Sequence, residues 1–273
     1  MNGYDIIILA GQSNAEGSGL GKVFKRYEPN PQIMELSDKN PAAICDTDII
    51  KGGLQLTKPY EFVVEQATEK PYQGKLRGNL AHSFAEEYIK AGYLEEGRKV
   101  LIVKAAVGGS GFARLQWGKG TELSNRMFEM VDYALGLEKD SKVVAMLWHQ
   151  GEHDAFEHEE LTPKTKESFY FDKFNYLINE TIKRYGKFPV LAAGFTDEWS
   201  QDYVEPCNAV IRATKKVLNA YGGGFIPTRG LKSNNQDSGN GDTIHFCRSA
   251  LYKLGKKYFD KFKEINKRET KCD

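Results

Sequence analysis

The sequence predicts a three-layer α/β/α sandwich on a mainly parallel sheet of five strands. Three observations lead there. Five short runs of largely apolar residues, Ile6–Ala10, Val100–Ala106, Val143–Trp148, Val190–Phe195 and Gly224–Pro227, have the length and composition of strands. Longer amphipathic stretches alternate with them, which is the pattern of a parallel sheet covered by helices on both faces. At 273 residues and 40% hydrophobic, the chain can also bury a sizeable core.

Taken in order, the first run, Tyr4 to Ala10, is rich in β-branched residues and stops at Gly11. The segment Gly17–Gly78 then breaks the rhythm with prolines, glycines and mixed polar residues. It reads as a long excursion over the C-terminal edge of the sheet, with room for short strands, and loops of that length in a compact domain are often functional. Helical patterns follow at Leu80–Ala91, Glu122–Glu138, Pro163–Tyr185 and Val204–Tyr221, each after or between strand runs. Thr162-Pro163 is a strong start for the third of these, a capping residue before proline in the first turn, and Gly186 is its stop. The last helix is expected over about Ser249–Ile265. Tyr252, Tyr258, Phe259, Phe262 and Ile265 recur at near-helical spacing there, so the lysine-rich tail Lys253–Lys271 reads as the solvated side of an amphipathic helix. With no repeat, low-complexity tract or linker, residues 1–273 are expected to form one domain.

Composition narrows the function. A formal net charge of +1 gives no basic footprint for a nucleic acid. No run reaches the roughly 18 apolar residues of a membrane span. Cys45, Cys207, Cys247 and Cys272 are scattered without a CxxC pair, so neither a zinc site nor a disulfide framework is expected. The apolar N-terminal run leads straight into a candidate site rather than a cleavage signal, which favours a cytoplasmic location and leaves secretion open. No cofactor is expected, and the oligomeric state is not legible.

The chemistry-bearing residues cluster at strand ends. Ser13 follows the first strand within Gly11-Gln12-Ser13-Asn14, where open α/β sheets gather ligands, and is the best candidate nucleophile. A serine hydroxyl needs a base within hydrogen-bond reach, and the base needs an orienting group. Five histidines are available: His82, His149, His153, His158 and His245. His245 is favoured because Asp242 stands three residues ahead in a glycine-led loop, where a turn brings a carboxylate onto the imidazole. Asp242 as a turn cap and His245 as a helix cap is the plainer alternative. Trp148-His149-Gln150-Gly151-Glu152-His153-Asp154 follows the third strand. Metal binding there is disfavoured, because Gly151 argues for a loop rather than a helix that would put His149 and His153 on one face. Gln150 suits an amide donor to an oxyanion, with Glu152 and Asp154 supporting it or facing substrate. Val107-Gly108-Gly109-Ser110-Gly111 lacks the spacing of a phosphate loop, and Gly109 fits better as a backbone oxyanion donor. Trp117 is a candidate wall for an acyl pocket, platform for a sugar ring, or core plug.

These blocks, in this order, resemble the SGNH-hydrolase superfamily, whose fold is flavodoxin-like. More closely they resemble carbohydrate esterase family 6 and the sialic-acid-specific acetylesterase (SASA) domain. The matching residues are Gly11-Gln12-Ser13-Asn14, Gly108-Gly109-Ser110, Trp148 to Asp154, and Asp242-Thr243-Ile244-His245-Phe246. The resemblance implies Ser13 as nucleophile, His245 as general base and acid, and Asp242 as its orienter. It also implies an oxyanion hole of the Ser13 and Gly109 N–H groups with the Gln150 side chain. Gln12, Asn14, Glu152 and Trp117 are expected around these groups or against substrate. Glu16 departs from the family pattern and sets an acid near the nucleophile; Cys247 stands where a small hydroxyl residue is common. The implied reaction removes short acyl groups, acetyl above all, from carbohydrate hydroxyls such as those of acetylated xylan or acetylated sialic acids. The alternatives are a lipid or thioester hydrolase of the same superfamily and a carbohydrate-binding protein without catalysis.

Overall fold

The computed structural model describes residues 2–22, 28–38, 61–69, 71–72, 75–157 and 161–269. His158, Cys45, Cys272 and much of the expected excursion lie outside the described residues. In chain order the elements are β1 (Tyr4–Gly11), α1 (Ser13–Glu16), β2 (Ile33–Asp38), β3 (Phe62–Gln66), β4 (Pro71–Tyr72), β5 (Lys75–Leu76), α2 (Leu80–Lys90), β6 (Lys99–Lys104) and α3 (Glu122–Leu137). There follow β7 (Lys142–His149), α4 (Glu152–Phe156), α5 (Pro163–Tyr185), β8 (Val190–Ala193), α6 (Asp197–Ser200), α7 (Val204–Ala220), β9 (Gly224–Ile226), α8 (Asn234–Ser238) and α9 (Arg248–Glu269).

Among the described residues seven strands, where five were expected, form the main sheet, in the order β3-β2-β6-β1-β7-β8-β9. All pairs are parallel except β2 with β3. The two additional strands come from the excursion. Their bounds escape a sequence reading because both mix polar with apolar residues, as in Ile33-Met34-Glu35-Leu36-Ser37-Asp38, and β3 is the edge of the sheet. The five expected strands and five expected helices all form, with ends shifted by at most a few residues.

Side chains alternate across the sheet and divide the core in two. Ile6, Ile8, Leu101, Val103, Met146 and Trp148 pack against α3, α5 and α7. Ile7, Leu9, Val100, Ile102, Ala145 and Leu147 pack on the other face against α2 and α9. Burial on both faces is why these strands read as continuous apolar runs. The local punctuation works as its chemistry requires. Thr162 accepts the Thr165 N–H at the start of α5, with Pro163 in the first turn, and Gly186 ends the helix at φ +85°. Tyr258, Phe259, Phe262 and Ile265 of α9 are buried, so the basic tail is the wet side of a packed helix. No helix among the described residues is long and apolar enough to cross a membrane.

The connections set the site. The chain starts in β1, moves out to β2 and β6 on one side, then crosses to β7 on the other. Strand order therefore reverses around β1, and the crevice beyond its carboxyl end is where a doubly wound sheet collects ligands.

Candidate active site

Three adjacent strands, β6, β1 and β7, end at this crevice and deliver three of the four sequence blocks. Gly11 closes β1 at φ +127°, and a Cβ there would stand 2.1 Å from the His149 carbonyl oxygen. Only glycine permits that approach, which lets the chain turn at Gln12 and start α1 with Ser13. The fourth block arrives from the opposite end of the chain. The backbone N–H of Asn234 donates to the His245 carbonyl (2.8 Å), that of Cys247 to Lys232 (3.0 Å) and that of Arg248 to Leu20 (2.8 Å). The loop holding His245 is thereby stitched between α8 and the segment after α1.

Nε2 of His245 lies 2.8 Å from Ser13 Oγ. Its Nδ1 lies 2.9 Å from each carboxylate oxygen of Asp242. The turn expected across Asp242–His245 is present, and the His245 N–H also donates to Asp242 Oδ1 (3.2 Å). With Nδ1 carrying the proton for Asp242, Nε2 is left to accept from the serine hydroxyl. Burial pushes the Asp242 carboxyl up. Its hydrogen bonds from His245 and Asn234, together with the imidazole's charge, outweigh that and hold it below the usual carboxylate value. An ionised orienter is what stabilises an imidazolium as it forms. Asn234, which donates to Asp242 Oδ2 at 2.8 Å, is a residue that the sequence reading missed. Ser233 and Gln236 around it form a capping box that starts α8, and that signature was present in the sequence.

The glycine loop after β6 stands directly beside the serine. A Cβ on Gly108 would lie 3.6 Å from the Ser13 Cβ and 2.8 Å from Glu16 Oε2. Glu16, singled out as a departure from the family pattern, accepts the Gly108 N–H at 2.9 Å and fastens the loop from behind. Arg114 donates to the Gly109 carbonyl at 3.1 Å and pairs with Glu157 at 2.5 Å. Nothing in the spacing marked it beforehand. Gly109 sits at φ +70°. Neither its N–H nor that of Ser13 donates to a backbone carbonyl of the loops and turns among the described residues. Both are candidate backbone donors to an oxyanion, the role the sequence suggests for them.

The Gln150 and Trp117 side chains both face inward. Gln150 donates its amide N–H to Asp154 Oδ2 (2.5 Å) and to the Ser110 carbonyl (3.4 Å), and its oxygen accepts from Tyr170 (3.1 Å). Its donors are directed into the protein rather than toward a developing oxyanion. The reason is local: Asp154 also accepts the N–H groups of Phe112 and Ala113, so it anchors the glycine loop and draws Gln150 with it. Burial pushes the Asp154 carboxyl up, against those hydrogen bonds. Trp117 is 1% exposed and its indole N–H donates to Ser110 Oγ at 2.8 Å, so it supports the loop from inside and offers no face to a sugar.

Gly151 breaks the chain after β7 as expected, but α4 begins immediately after it. His149 is buried, with Nδ1 3.3 Å from the Tyr258 hydroxyl, and burial lowers its pKa to about 3. His153 neighbours Gly109. Burial, then the charge of Arg114, lowers its pKa to about 4, so it is a neutral ring at the crevice. No group of three or more His, Cys, Asp or Glu among the described residues is arranged to hold a metal ion. Glu152 is fully buried, and burial pushes its carboxyl up against the opposing hydrogen bond from Asn14.

Comparison with known proteins agrees with this architecture. The family model described as "Carbohydrate esterase, sialic acid-specific acetylesterase" matches residues 3–264. No curated protein matches the sequence with significance. Among solved structures, NanS is similar with a TM-score of 0.69 at 16% identity, over 98% of each chain. A protein from Arabidopsis thaliana gives 0.67 at 18% identity, over 96% of this chain and 98% of that one. A carbohydrate acetylesterase from Xanthomonas citri gives 0.58 at 16% identity, over 96% of this chain and 56% of that one. At such identities the likeness is one of fold.

Proposed function

The chain belongs to the sialic acid-specific acetylesterase family of carbohydrate esterases, and from that membership we propose that it is a serine esterase that removes acetyl groups from sugar hydroxyls through an acyl-enzyme. The observation that carries the proposal is the hydrogen-bonded series Ser13–His245–Asp242, at 2.8 and 2.9 Å.

In the first step Ser13 Oγ attacks the ester carbonyl while His245 Nε2 takes the hydroxyl proton. The carbonyl oxygen becomes an oxyanion, facing the N–H groups of Ser13 and Gly109. Each such donor is worth roughly 2.7–4 kcal/mol of barrier in measured cases. The imidazolium, steadied by Asp242, then protonates the sugar oxygen as the C–O bond breaks. In the second step a water gives its proton to His245, attacks the acyl carbon and releases acetate, and Ser13 recovers its proton. Gln150, Asp154, Glu16 and Arg114 act on this chemistry by fixing the Gly108–Ser110 loop. A neutral His153 beside Gly109 supports the recognition of sugar hydroxyls, being able to donate or accept.

Release of acetate from a panel of acetylated glycans, acetylated xylan and acetylated sialic acids included, tests the reading and orders the substrates. Activity that grows with acyl length on p-nitrophenyl esters would point instead to lipid hydrolysis. Failure of a fluorophosphonate to label Ser13 would point to sugar binding without catalysis.

A further inference from the structure

Glu152 is a fully buried acid that the acyl-transfer steps leave unused. Its surroundings are specific. Oε1 accepts from Asn14 Nδ2 at 2.8 Å. Oε2 lies 3.2 Å from the Gln12 amide, whose nitrogen also reaches the Ser110 carbonyl at 3.3 Å. That orientation of Gln12 is assigned from the network: an amide oxygen placed there would accept from the Gln150 amide (3.3 Å) and the His153 N–H (3.4 Å) but would stand against the Glu152 carboxylate and the Ser110 carbonyl. Gln12 and Asn14 are the two chain neighbours of Ser13.

Asn14 carries the connection further. Its Nδ2 also donates to the Ile244 carbonyl at 3.2 Å, and its Oδ1 accepts the Phe246 N–H at 3.0 Å. Ile244 and Phe246 are the two chain neighbours of His245. One carboxylate therefore grips both sides of the serine, and through Asn14 both sides of the histidine.

We propose that Glu152 is a positioning residue that sets the registry between Ser13 and His245 by holding Gln12 and Asn14. The proposal rests on the reading of Ser13 and His245 as nucleophile and base. A carboxylate suits the place because it offers acceptors on both oxygens and, when ionised, no donor, so two amide N–H groups can converge on it. Glutamine would turn one of those acceptors into a donor facing a donor. Aspartate, one methylene shorter, would not span the distance. A misplacement of about 1 Å between reacting groups can cost on the order of 100-fold in rate.

The test uses the full chain with p-nitrophenyl acetate as probe. Glu152→Gln should lower kcat about 10- to 100-fold. KM should change less than about threefold and Tm by only a few degrees. The rate of fluorophosphonate labelling at Ser13 should fall in parallel, with its final extent intact. Asn14→Asp should lose a similar amount, since it sets two acids against each other. Combining Asn14→Asp with Glu152→Gln exchanges donor and acceptor across the same contact, and should recover about tenfold over Asn14→Asp alone. That pair keeps the test open even if Glu152→Gln folds poorly. A Glu152→Gln enzyme within about twofold of wild-type kcat overturns the proposal. So does a loss of kcat that only tracks a falling Tm, with no recovery in the exchanged pair. Wild-type turnover that survives Ser13→Ala would instead remove the underlying reaction, whatever Glu152 does.

Discussion

Two acids serve the same corner of this molecule and live under opposite conditions. Asp242 sits on a turn at the rim, its side chain 26% exposed beside a histidine at 27%. Its partners, His245 and Asn234, hold it ionised. Glu152 lies beneath the strand ends with no exposure, among amides and the buried His149 ring, whose Nε2 is 3.8 Å from Oε1, and burial pushes its carboxyl up. The difference teaches a division of labour. In the proposed reaction the histidine that Asp242 orients trades protons with substrate and water, so both have to sit near solvent, where a turn can carry them. A group that fixes geometry is better kept dry, where its hydrogen bonds meet no competition from water.

That division can be attacked from its strongest consequence downward. On the wet side, Ser13→Ala and His245→Ala should each cost roughly 10⁶-fold in kcat, the scale seen when one member of such a unit is removed, while Tm stays near wild type. A rate assay paired with a melting curve checks both halves, and a large fall in Tm would blur the contrast. Asp242→Asn should cost roughly 10⁴-fold, because the imidazole loses its orienting acceptor. Retention of more than about a tenth of the activity would mean that His245 holds its tautomer without Asp242.

Gly109→Ala lies between the two sides. Its φ of +70° strains any other residue, and the shifted loop should weaken one oxyanion donor. A loss of about 100-fold in kcat with little change in KM is expected. An equal loss in binding of a substrate analogue would assign the loop to recognition instead.

On the dry side the effects should appear as stability. Asp154→Asn places an amide N–H₂ against donors from Phe112, Ala113 or Gln150. It should cost about 2 kcal/mol in urea denaturation. A neutral result would show that the buried loop anchor is dispensable.

The smallest effect concerns pH. Asp242 has a folded pKa below its unfolded one, so its contribution to stability is fully present above the unfolded value, about 3.9, and is lost as pH falls through the folded value. The stability gap between wild type and Asp242→Asn should therefore be widest near neutrality, at about 1 kcal/mol, and close below about pH 4. A gap that persists unchanged into acid would show that the ionised form is not what stabilises the turn.

Much of the site could be read before any coordinates, because its residues stand at punctuation marks. Ser13 follows a strand that ends at glycine, Gly109 lies in a glycine run after another, and Asp242 precedes His245 at the interval of a turn. What escaped notice were groups acting through space rather than through spacing. Arg114 and Asn234 hold Gly109 and Asp242 by hydrogen bonds that no local pattern announces, although the capping box at Ser233 and Gln236 marked the start of α8. Gln150 reads as an oxyanion donor by its type; its hydrogen bond to Asp154 depends on a contact that no spacing announces. Strands β2 and β3 fall in the stretch that reads as an excursion with room for short strands, because Glu35, Ser37 and Asp38 in β2 and Glu65 and Gln66 in β3 interrupt the apolar pattern.

By itself the sequence determined the layered architecture and the helix limits at Thr162 and Gly186, and it singled out Ser13 and His245 as the candidate nucleophile and base. These follow from local rules, in which hydrophobic period, backbone freedom and capping chemistry act over a few residues. The tertiary structure alone decided that the Ser13 corner and the His245 loop meet at 2.8 Å, and that Glu152 stands behind both. Contacts between residues 138 and 230 or more positions apart depend on how the whole sheet and its crossovers pack, and no short stretch of chain encodes that sum.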